Sequence, residues 1–491
     1  MTQRPQRPRR PRRIVVVGNG MAAVRLVEAL LARGVTDSIT VLGAERHAPY
    51  NRILLSAVLE GTHRPEAITL RSREWYAGNG VELRLGCRVA AVHRDSQEVE
   101  LADGSRVPYD RLVLATGSIP TLPPIRGVVR PDGRLHDAVH AFRSLDDCRR
   151  LLAAVPAARR AVVVGGGLLG LQVARALSVR GVDTEIVEGG GHLLRGHVDE
   201  AAGAVLQRSL ERLGTRVYTG ARAVRLTDAG SRVGLRLDNG FTLDTDLVVL
   251  TAGGRPSVDL ARRAGLATRR GIVVDDTLAT ADPAIFAIGD CAEHGGTTTG
   301  FVPPAWEQAG VLAARLGGGT ESYGGHRTVA RLRATDLEVA VLGDRQQPAP
   351  EEDEVVQVSN PIAGVHKRLV VRGGVIVAAT LVGDLTQIGV ITQFFDRGTV
   401  LGRREPGALV TPPRSTPAAE TVAAALPDDA EVCACAGVSA GRIRACGSVA
   451  EAAETTRATT GCGGCTTTVA ALVAGPVDGL VGGTREAVSK P

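Results

Sequence analysis

The chain has 491 residues, enough for about three domains at roughly 150 residues each. Hydrophobic residues make up 44% and charged residues 22%, which excludes wholesale disorder, and the 60 glycines show no period of three, which excludes collagen. The net charge of +6, from 58 cations against 52 anions, is diluted over a long chain and argues for no nucleic-acid partner.

The N-terminus is dense in arginine, with Arg9-Arg10 and Arg12-Arg13 ahead of an apolar run, so a twin-arginine export signal has to be weighed. That run, Ile14 to Val17, gives way at once to Gly18, Asn19 and Gly20, and reads instead as a strand, a glycine turn and a helix over Ala22 to Ala32 that stops near Gly34. No apolar stretch reaches the roughly 18 residues a membrane span needs, so a cytoplasmic protein without membrane attachment is expected. A second strand follows over Ser38 to Leu42. The same pattern recurs as Ala161-Val-Val-Val-Gly165, a helix over Leu168 to Val179 ending near Gly181, and a strand over Asp183 to Val187. Two such strand–helix–strand units predict an α/β chain with two doubly wound, Rossmann-like domains.

Further along, Ile285-Phe-Ala-Ile-Gly289-Asp290 is another strand running into glycine, and a helix is expected from near Ala305. Residues 325–403 hold several strand-like runs, with the acidic patch Glu351 to Glu354 read as a solvated loop. From Arg404 to Asp429 the chain turns to proline, alanine and threonine and reads as a linker. His136 and His140 are four apart, a spacing that would let them share a helix face, but with no third metal ligand nearby a surface pair is expected. Of the cations, only Lys367 and Lys490 are lysine, a bias with no cost on most solvated surfaces.

The glycine turns carry chemistry. In Gly18-x-Gly20-x-x-Ala23 the first glycine permits the tight turn, the second lets a diphosphate approach the backbone, and the small third residue lets helix and strand pack closely. The helix N-terminus behind them offers unpaired N–H groups and a positive dipole end. Glu45 is the nearest acid for a ribose hydroxyl, slightly late in spacing. The second unit is stricter: Gly165-x-Gly167-x-x-Gly170, with Glu188 ending the second strand. Glu188 would bind the adenosine ribose and repel a 2′-phosphate, and no arginine follows until Arg195, so NADH is favoured over NADPH.

Eight cysteines are present. Cys87, Cys148 and Cys291 are scattered, which argues against a secreted disulfide framework, and none forms a Cys-x-x-Cys redox pair; small buried residues are expected. The rest crowd near the end. Cys433-x-Cys435 and Cys462-x-x-Cys465 supply four thiolates, which suit zinc or an iron–sulfur cluster, and spacing alone does not choose between them. Cys446 falls outside the pattern and reads as structural.

Taken together, the two fingerprints, Leu114-Ala-Thr-Gly117-Ser-x-Pro120, Thr251-Ala-Gly-Gly-Arg-Pro256 and Ile285-Phe-Ala-Ile-Gly289-Asp290 resemble the FAD- and NAD(P)H-dependent pyridine nucleotide-disulfide oxidoreductases. The resemblance implies FAD in the first domain, contacted by Asn51, Arg52, Thr116, Gly117, Gly289 and Asp290, and NAD(P)H in the second, with Gly253 nearby. Cys-Ala-Cys-Ala-Gly-Val-Ser439 and Thr-Gly-Cys-Gly-Gly-Cys465 resemble the 2Fe–2S domain of bacterioferritin-associated ferredoxin, which implies that cluster on Cys433, Cys435, Cys462 and Cys465. Ile362-Ala-Gly-Val-His-Lys-Arg-Leu369 and Leu381-Val-Gly-Asp384 are similar to the region after the flavoprotein part of nitrite reductase large subunits and of assimilatory nitrate reductase electron-transfer subunits. Gln172 stands where that family usually has a glutamate in the nicotinamide-binding helix. The chain also stops soon after the cysteines, without the sirohaem half of the large subunits, so nitrite reduction by this chain alone is not expected.

These readings predict an FAD-binding domain over 13–140 and 271–322, an NAD(P)H-binding domain over 141–270, a small α+β domain over 323–405, a linker over 406–428, and a small helical iron–sulfur domain over 429–480. The expected function is an NADH-oxidising electron-transfer flavoprotein without an acid–base triad. Its partner by resemblance is the catalytic subunit of assimilatory nitrate reductase. The alternatives are a rubredoxin or ferredoxin reductase, a donor to a separate nitrite reductase, or a terminal module that senses iron or docks a partner.

Overall fold

The computed structural model describes residues 11–230, 232–325, 329–343, 353–411, 426–433, 436–460 and 465–474. The chain divides into two units, Met1–Val410 and Thr411–Pro491.

In the first unit the chain runs through β1 (Arg13–Val17), α1 (Met21–Ala32), β2 (Ser38–Gly43), β3 (Glu82–Leu85) and β4 (Arg111–Leu114). It then enters a second sheet through β5 (Val139–Ala141), α2 (Leu145–Ala154), β6 (Arg160–Val164), α3 (Leu168–Val179), β7 (Asp183–Glu188), α4 (Glu200–Arg212), β8 (Arg216–Thr219) and β9 (Leu247–Leu250). It returns to the first with β10 (Ile285–Ala287) and α5 (Val302–Leu316). The strand orders are β10-β4-β1-β2-β3 and β8-β7-β6-β9-β5, parallel throughout. The Val-rich strands β1 and β6 are buried along nearly their whole length, as strands covered by helices on both faces must be. In each sheet the chain leaves the central strand to one side and later returns on the other, which opens a crevice at the strands' carboxyl ends.

Both domains carry the same antiparallel insert ahead of the returning strand: Val89–His93, Glu98–Leu101 and Arg106–Pro108 in the first, Ala223–Ala229, Arg232–Leu237 and Thr242–Thr245 in the second. A short ribbon, Ser118–Pro120 antiparallel to Gly254–Pro256, ties the two domains together. α5 opens at Val302, three residues ahead of expectation, because Pro303 and Pro304 fall in its first turn, where no helical N–H is required.

The third region forms an antiparallel sheet, β11 (Val329–Ala334), β12 (Leu337–Leu342), β13 (Glu354–Asn360), β14 (Val365–Arg372) and β15 (Val375–Val382), in the order β11-β12-β15-β14-β13. Helix α6 (Ile388–Arg397) covers it around Ile391 and Phe395. The described half of the acidic patch is not a loop, since Asp353 accepts two hydrogen bonds from Arg372 at 2.6 and 3.0 Å and Glu354 opens β13; residues 351 and 352 lie outside the described residues. Glu405–Val410 is helical and buries Leu409 and Val410, so the expected linker loses its first residues to this domain; residues 412–425 lie outside the described residues.

The second unit contains β16 (Glu431–Cys433) paired with β17 (Val438–Ser439), then α7 (Ala440–Arg444), α8 (Val449–Thr456) and α9 (Thr466–Ala474). Its core gathers Val438, Ile443, Ala452, Val469 and Leu472 around Cys433, Cys446 and Cys465. Among the described residues no helix is long and apolar enough to cross a membrane.

Candidate active site

Three separate motifs converge on the start of α1. A Cβ on Gly18, which has φ +114°, would overlap the carbonyl oxygen of Ala115 in the Ala-Thr-Gly motif. A Cβ on Gly289 would lie 3.0 Å from that of Ala22 in the first turn of α1, and the Gly289 N–H is held by the Gln308 side chain at 2.8 Å. Gly20, the N-cap residue of α1, faces open space, and no side chain caps the helix. By contrast, α2 and α4 are capped by Ser144 and Asp199. An uncapped N-terminus beside a glycine with nothing in front of it is a cradle for a diphosphate. Ala23, 1% exposed, supplies the close helix–strand packing.

The second sheet repeats this. Gly165 has φ +117°, and Gly167 is the N-cap of α3, again with no side-chain cap and open space in front. A Cβ on Gly170 would overlap the Gly165 carbonyl oxygen, so only glycine fits. The Thr251 hydroxyl donates to the carbonyls of Val164 and Gly165, both at 3.1 Å, and Gly253 (φ +99°) accepts from the Thr121 N–H at 2.9 Å. Glu188, the last residue of β7, points into the turn and accepts N–H bonds from Gly166 at 2.7 Å and Gly190 at 2.6 Å. Gln172 lies half-buried on α3.

A connected polar cluster links the two sheets through Arg143. Asp290 accepts from the Ser118 hydroxyl at 2.8 Å and from Arg143 at 2.7 Å. Thr116 donates to the Ser257 carbonyl at 2.8 Å, and the Gly117 carbonyl accepts from the Ser257 N–H at 2.9 Å, which fixes this corner to the interdomain ribbon. Arg52 pairs with Glu45, stacks on the Tyr50 ring at 4.9 Å, and donates to the Arg143 carbonyl at 3.2 Å. The Tyr50 hydroxyl donates to Glu45 at 2.7 Å, and burial pushes its pKa well above the ordinary value. Both Glu45 oxygens are therefore engaged by Arg52 and Tyr50, and β2 ends two residues earlier at Gly43. Asn51, 5% exposed, accepts from the Ile53 N–H at 3.1 Å and caps the single turn that carries Arg52.

Arg143 is the residue that sequence reasoning missed. The available signal was its place just before Ser144-x-x-Asp147, a capping box whose Asp147 carboxylate accepts the Arg143 N–H at 3.1 Å and so fixes the arginine's backbone. Of the expected surface pair, His136 meets an exposed partner, whereas the His140 ring nitrogen Nε2 is buried. His140 sits in strand β5 and His136 in the preceding loop against Asp228 at 3.1 Å, so they share no helix face. Tertiary pairing with β9 overrode the helical spacing.

Of the scattered cysteines, Cys148 and Cys291 are buried and Cys87 partly so. Burial pushes the Cys148 thiol up to about 11 and raises that of Cys291, which makes both poor nucleophiles. In the second unit Cys433 and Cys465 are 3% and 5% exposed in one small core, and the Cys465 sulfur accepts the Thr459 N–H at 3.3 Å. Thr459 and Arg457 have φ +68° and +63°, which bends the preceding loop around that sulfur. Two buried cysteines, one with an N–H donor aimed at its sulfur, fit thiolate ligation. Cys435 and Cys462 lie outside the described residues. Cys446 donates to the Arg442 carbonyl and meets the Thr455 hydroxyl, at 3.4 and 3.6 Å.

Two uncapped helix N-termini behind glycine turns, in tandem parallel sheets joined by a ribbon, are the arrangement of a fold that takes two dinucleotides. Residues 12–309 match the family model described as pyridine nucleotide-disulphide oxidoreductase. An NAD(P)H nitrite reductase of Bacillus subtilis (strain 168) is 36% identical over 462 residues, which cover 92% of this chain and 56% of that protein. The assimilatory nitrate reductase electron transfer subunit of the same organism is 32% identical over 464 residues, 92% of this chain and 58% of its own. The chain thus spans little more than half the length of these relatives. Among solved structures, the covalent putidaredoxin reductase–putidaredoxin complex superposes with a TM-score of 0.74 at 27% identity, covering 84% of this chain and 99% of that one. The chain belongs to the pyridine nucleotide-disulphide oxidoreductase family.

Proposed function

We propose that the chain is an NADH-oxidising electron-transfer flavoprotein that passes electrons through a 2Fe–2S cluster to a partner reductase, the catalytic subunit of assimilatory nitrate reductase. Bound FAD would supply hydride acceptance from the nicotinamide and one-electron release. The chain's own part is placement. The amides at the starts of α1 and α3 would hold the two diphosphates, and the cluster around Asp290, Arg143 and Arg52 would orient the flavin end of the first nucleotide. Glu188, at the end of β7, would take the adenosine ribose of NADH. Cys433, Cys435, Cys462 and Cys465 would hold the cluster.

The observation that carries this reading is the pairing of two nucleotide cradles in one unit with a separate unit whose core is built around Cys433 and Cys465. The two Bacillus subtilis relatives, each matched over 92% of this chain, support nitrogen-oxide chemistry downstream. The likeness to putidaredoxin reductase, solved in covalent complex with putidaredoxin, supports a second reading, in which a separate redox protein is the acceptor. Visible spectra before and after dithionite should show both flavin and iron–sulfur absorption. Cys462→Ser should abolish reduction of the nitrate reductase subunit while NADH-to-dye activity persists. Full acceptor reduction by that variant would sink the relay.

A further inference from the structure

After β10 the chain passes through Ile288 and Gly289 (φ +76°) to Asp290. Glycine takes up many backbone conformations, so Gly289 does not choose that one by itself. The choice falls to Gln308 in the second turn of α5, which is 1% exposed and accepts the Gly289 N–H at 2.8 Å. With its carbonyl oxygen spent there, its amide nitrogen donates to the Tyr323 hydroxyl. Tyr323 is a fixed anchor. It is buried, its N–H donates to the Asp276 carbonyl at 2.8 Å, and its ring meets that of His294 edge-on at 4.9 Å. Burial pushes the pKa of its hydroxyl up to about 12, so it stays neutral.

We infer that Gln308 is a positioning residue for FAD: it holds the Gly289 peptide so that the Asp290 carboxylate stands ready beside the start of α1, and Tyr323 in turn holds Gln308. The inference rests on the flavin reading of the first sheet given above. Ser118 and Arg143 reach only the Asp290 carboxylate, at 2.8 and 2.7 Å, and neither fixes the backbone on which it rides. That backbone is pinned at Gly289, where a Cβ would lie 3.0 Å from that of Ala22, so the loop abuts the first turn of α1. Gln308 suits the task because it works in both directions, accepting from the loop and donating to its anchor. Leucine does neither, and a carboxyl group does both only while protonated.

The test titrates FAD into the full chain stripped of flavin and follows flavin fluorescence between pH 5.5 and 8.5. Breaking a buried hydrogen-bonded link corresponds to about a tenfold change. Gln308→Leu should therefore bind FAD about tenfold more weakly than wild type at every pH. Gln308→Glu should bind almost as wild type at pH 5.5, where its buried carboxyl is protonated and replaces the amide. By pH 8.5 it should lose about tenfold, because the ionised group no longer donates to Tyr323. Tyr323→Phe should weaken FAD binding in the same direction. With FAD saturating, the KM for NADH should keep its wild-type value in all three variants. Wild-type FAD affinity in Gln308→Leu or Tyr323→Phe, a loss in Gln308→Glu that does not change with pH, or a KM for NADH that rises at saturating FAD overturns the role of Gln308. A wild-type chain that takes up no FAD overturns the flavin reading of the first sheet itself.

Discussion

Gly167 and Gly170 are three residues apart in the same turn, yet alanine at each should fail in a different way. At Gly170 the new methyl would overlap the Gly165 carbonyl oxygen and press on Thr251 Oγ1 at 2.8 Å, and a backbone carbonyl cannot move aside. Overpacking of this kind costs about 1–3 kcal/mol. At about 1.2 °C per kcal/mol for the Met1–Val410 unit, Gly170→Ala should lower Tm by roughly 1–4 °C. At Gly167 the methyl would meet no protein atom within 4 Å, and φ −79°, ψ −179° is extended backbone open to any residue. Losing glycine at the N-cap costs a few tenths of a kcal/mol to about 1, and restricting the unfolded chain returns about 0.4–1 kcal/mol, so stability should hardly change. The methyl instead occupies the space a diphosphate needs. Gly167→Ala should raise the KM for NADH at least tenfold, about 1.4 kcal/mol of binding, at constant FAD content. Thermal melting, FAD absorbance and steady-state dye reduction separate the two effects. Normal NADH affinity in Gly167→Ala, or an unshifted Tm in Gly170→Ala, would refute the assignment of the turn.

Arg143→Ala should weaken FAD retention by about tenfold, because the charged hydrogen bond holding Asp290 is lost; flavin absorbance after gel filtration reads it, and wild-type retention would contradict the clamp. Burial lowers the pKa of His140 and of His197 below the ordinary 6.5, so at lower pH the unfolded chain takes up protons that the native one does not. Stability should therefore fall as pH drops below about 6.5. His140→Gln should flatten that slope in urea melts at pH 7.5 and 5.5, and equal slopes in variant and wild type would count against it. Lys367 is 2% exposed and bonds Asp384 at 2.6 Å, so it does not sit at the solvated surface where lysine and arginine are interchangeable. Lys367→Arg should cost about 1–3 kcal/mol by overpacking, and a variant as stable as wild type would remove the reason for a lysine there.

What the sequence made legible follows from how local each signal is. Ile14-Val-Val-Val-Gly18 and Ala161-Val-Val-Val-Gly165 declare buried strands and tight turns within five residues, and the helix expected over Leu168 to Val179 is found with those bounds. The Arg143–Asp290 ion pair spans 147 residues and depends on two sheets meeting at a ribbon, so no local spacing reports it. The two ribose acids show where that boundary lies. Glu188 is the last residue of its strand, so the strand's alternation decides which way it points, and its carboxylate reaches the Gly166 N–H of the neighbouring turn. Glu45 lies two residues past the end of β2, beyond the reach of that alternation. Its direction is set instead by Tyr50, which the Leu145 N–H holds through its hydroxyl at 2.9 Å, and by the Arg52 guanidinium stacked on that ring. An acid on a strand can be assigned from its register, whereas an acid just off a strand belongs to whichever cation and hydroxyl the tertiary fold brings to it.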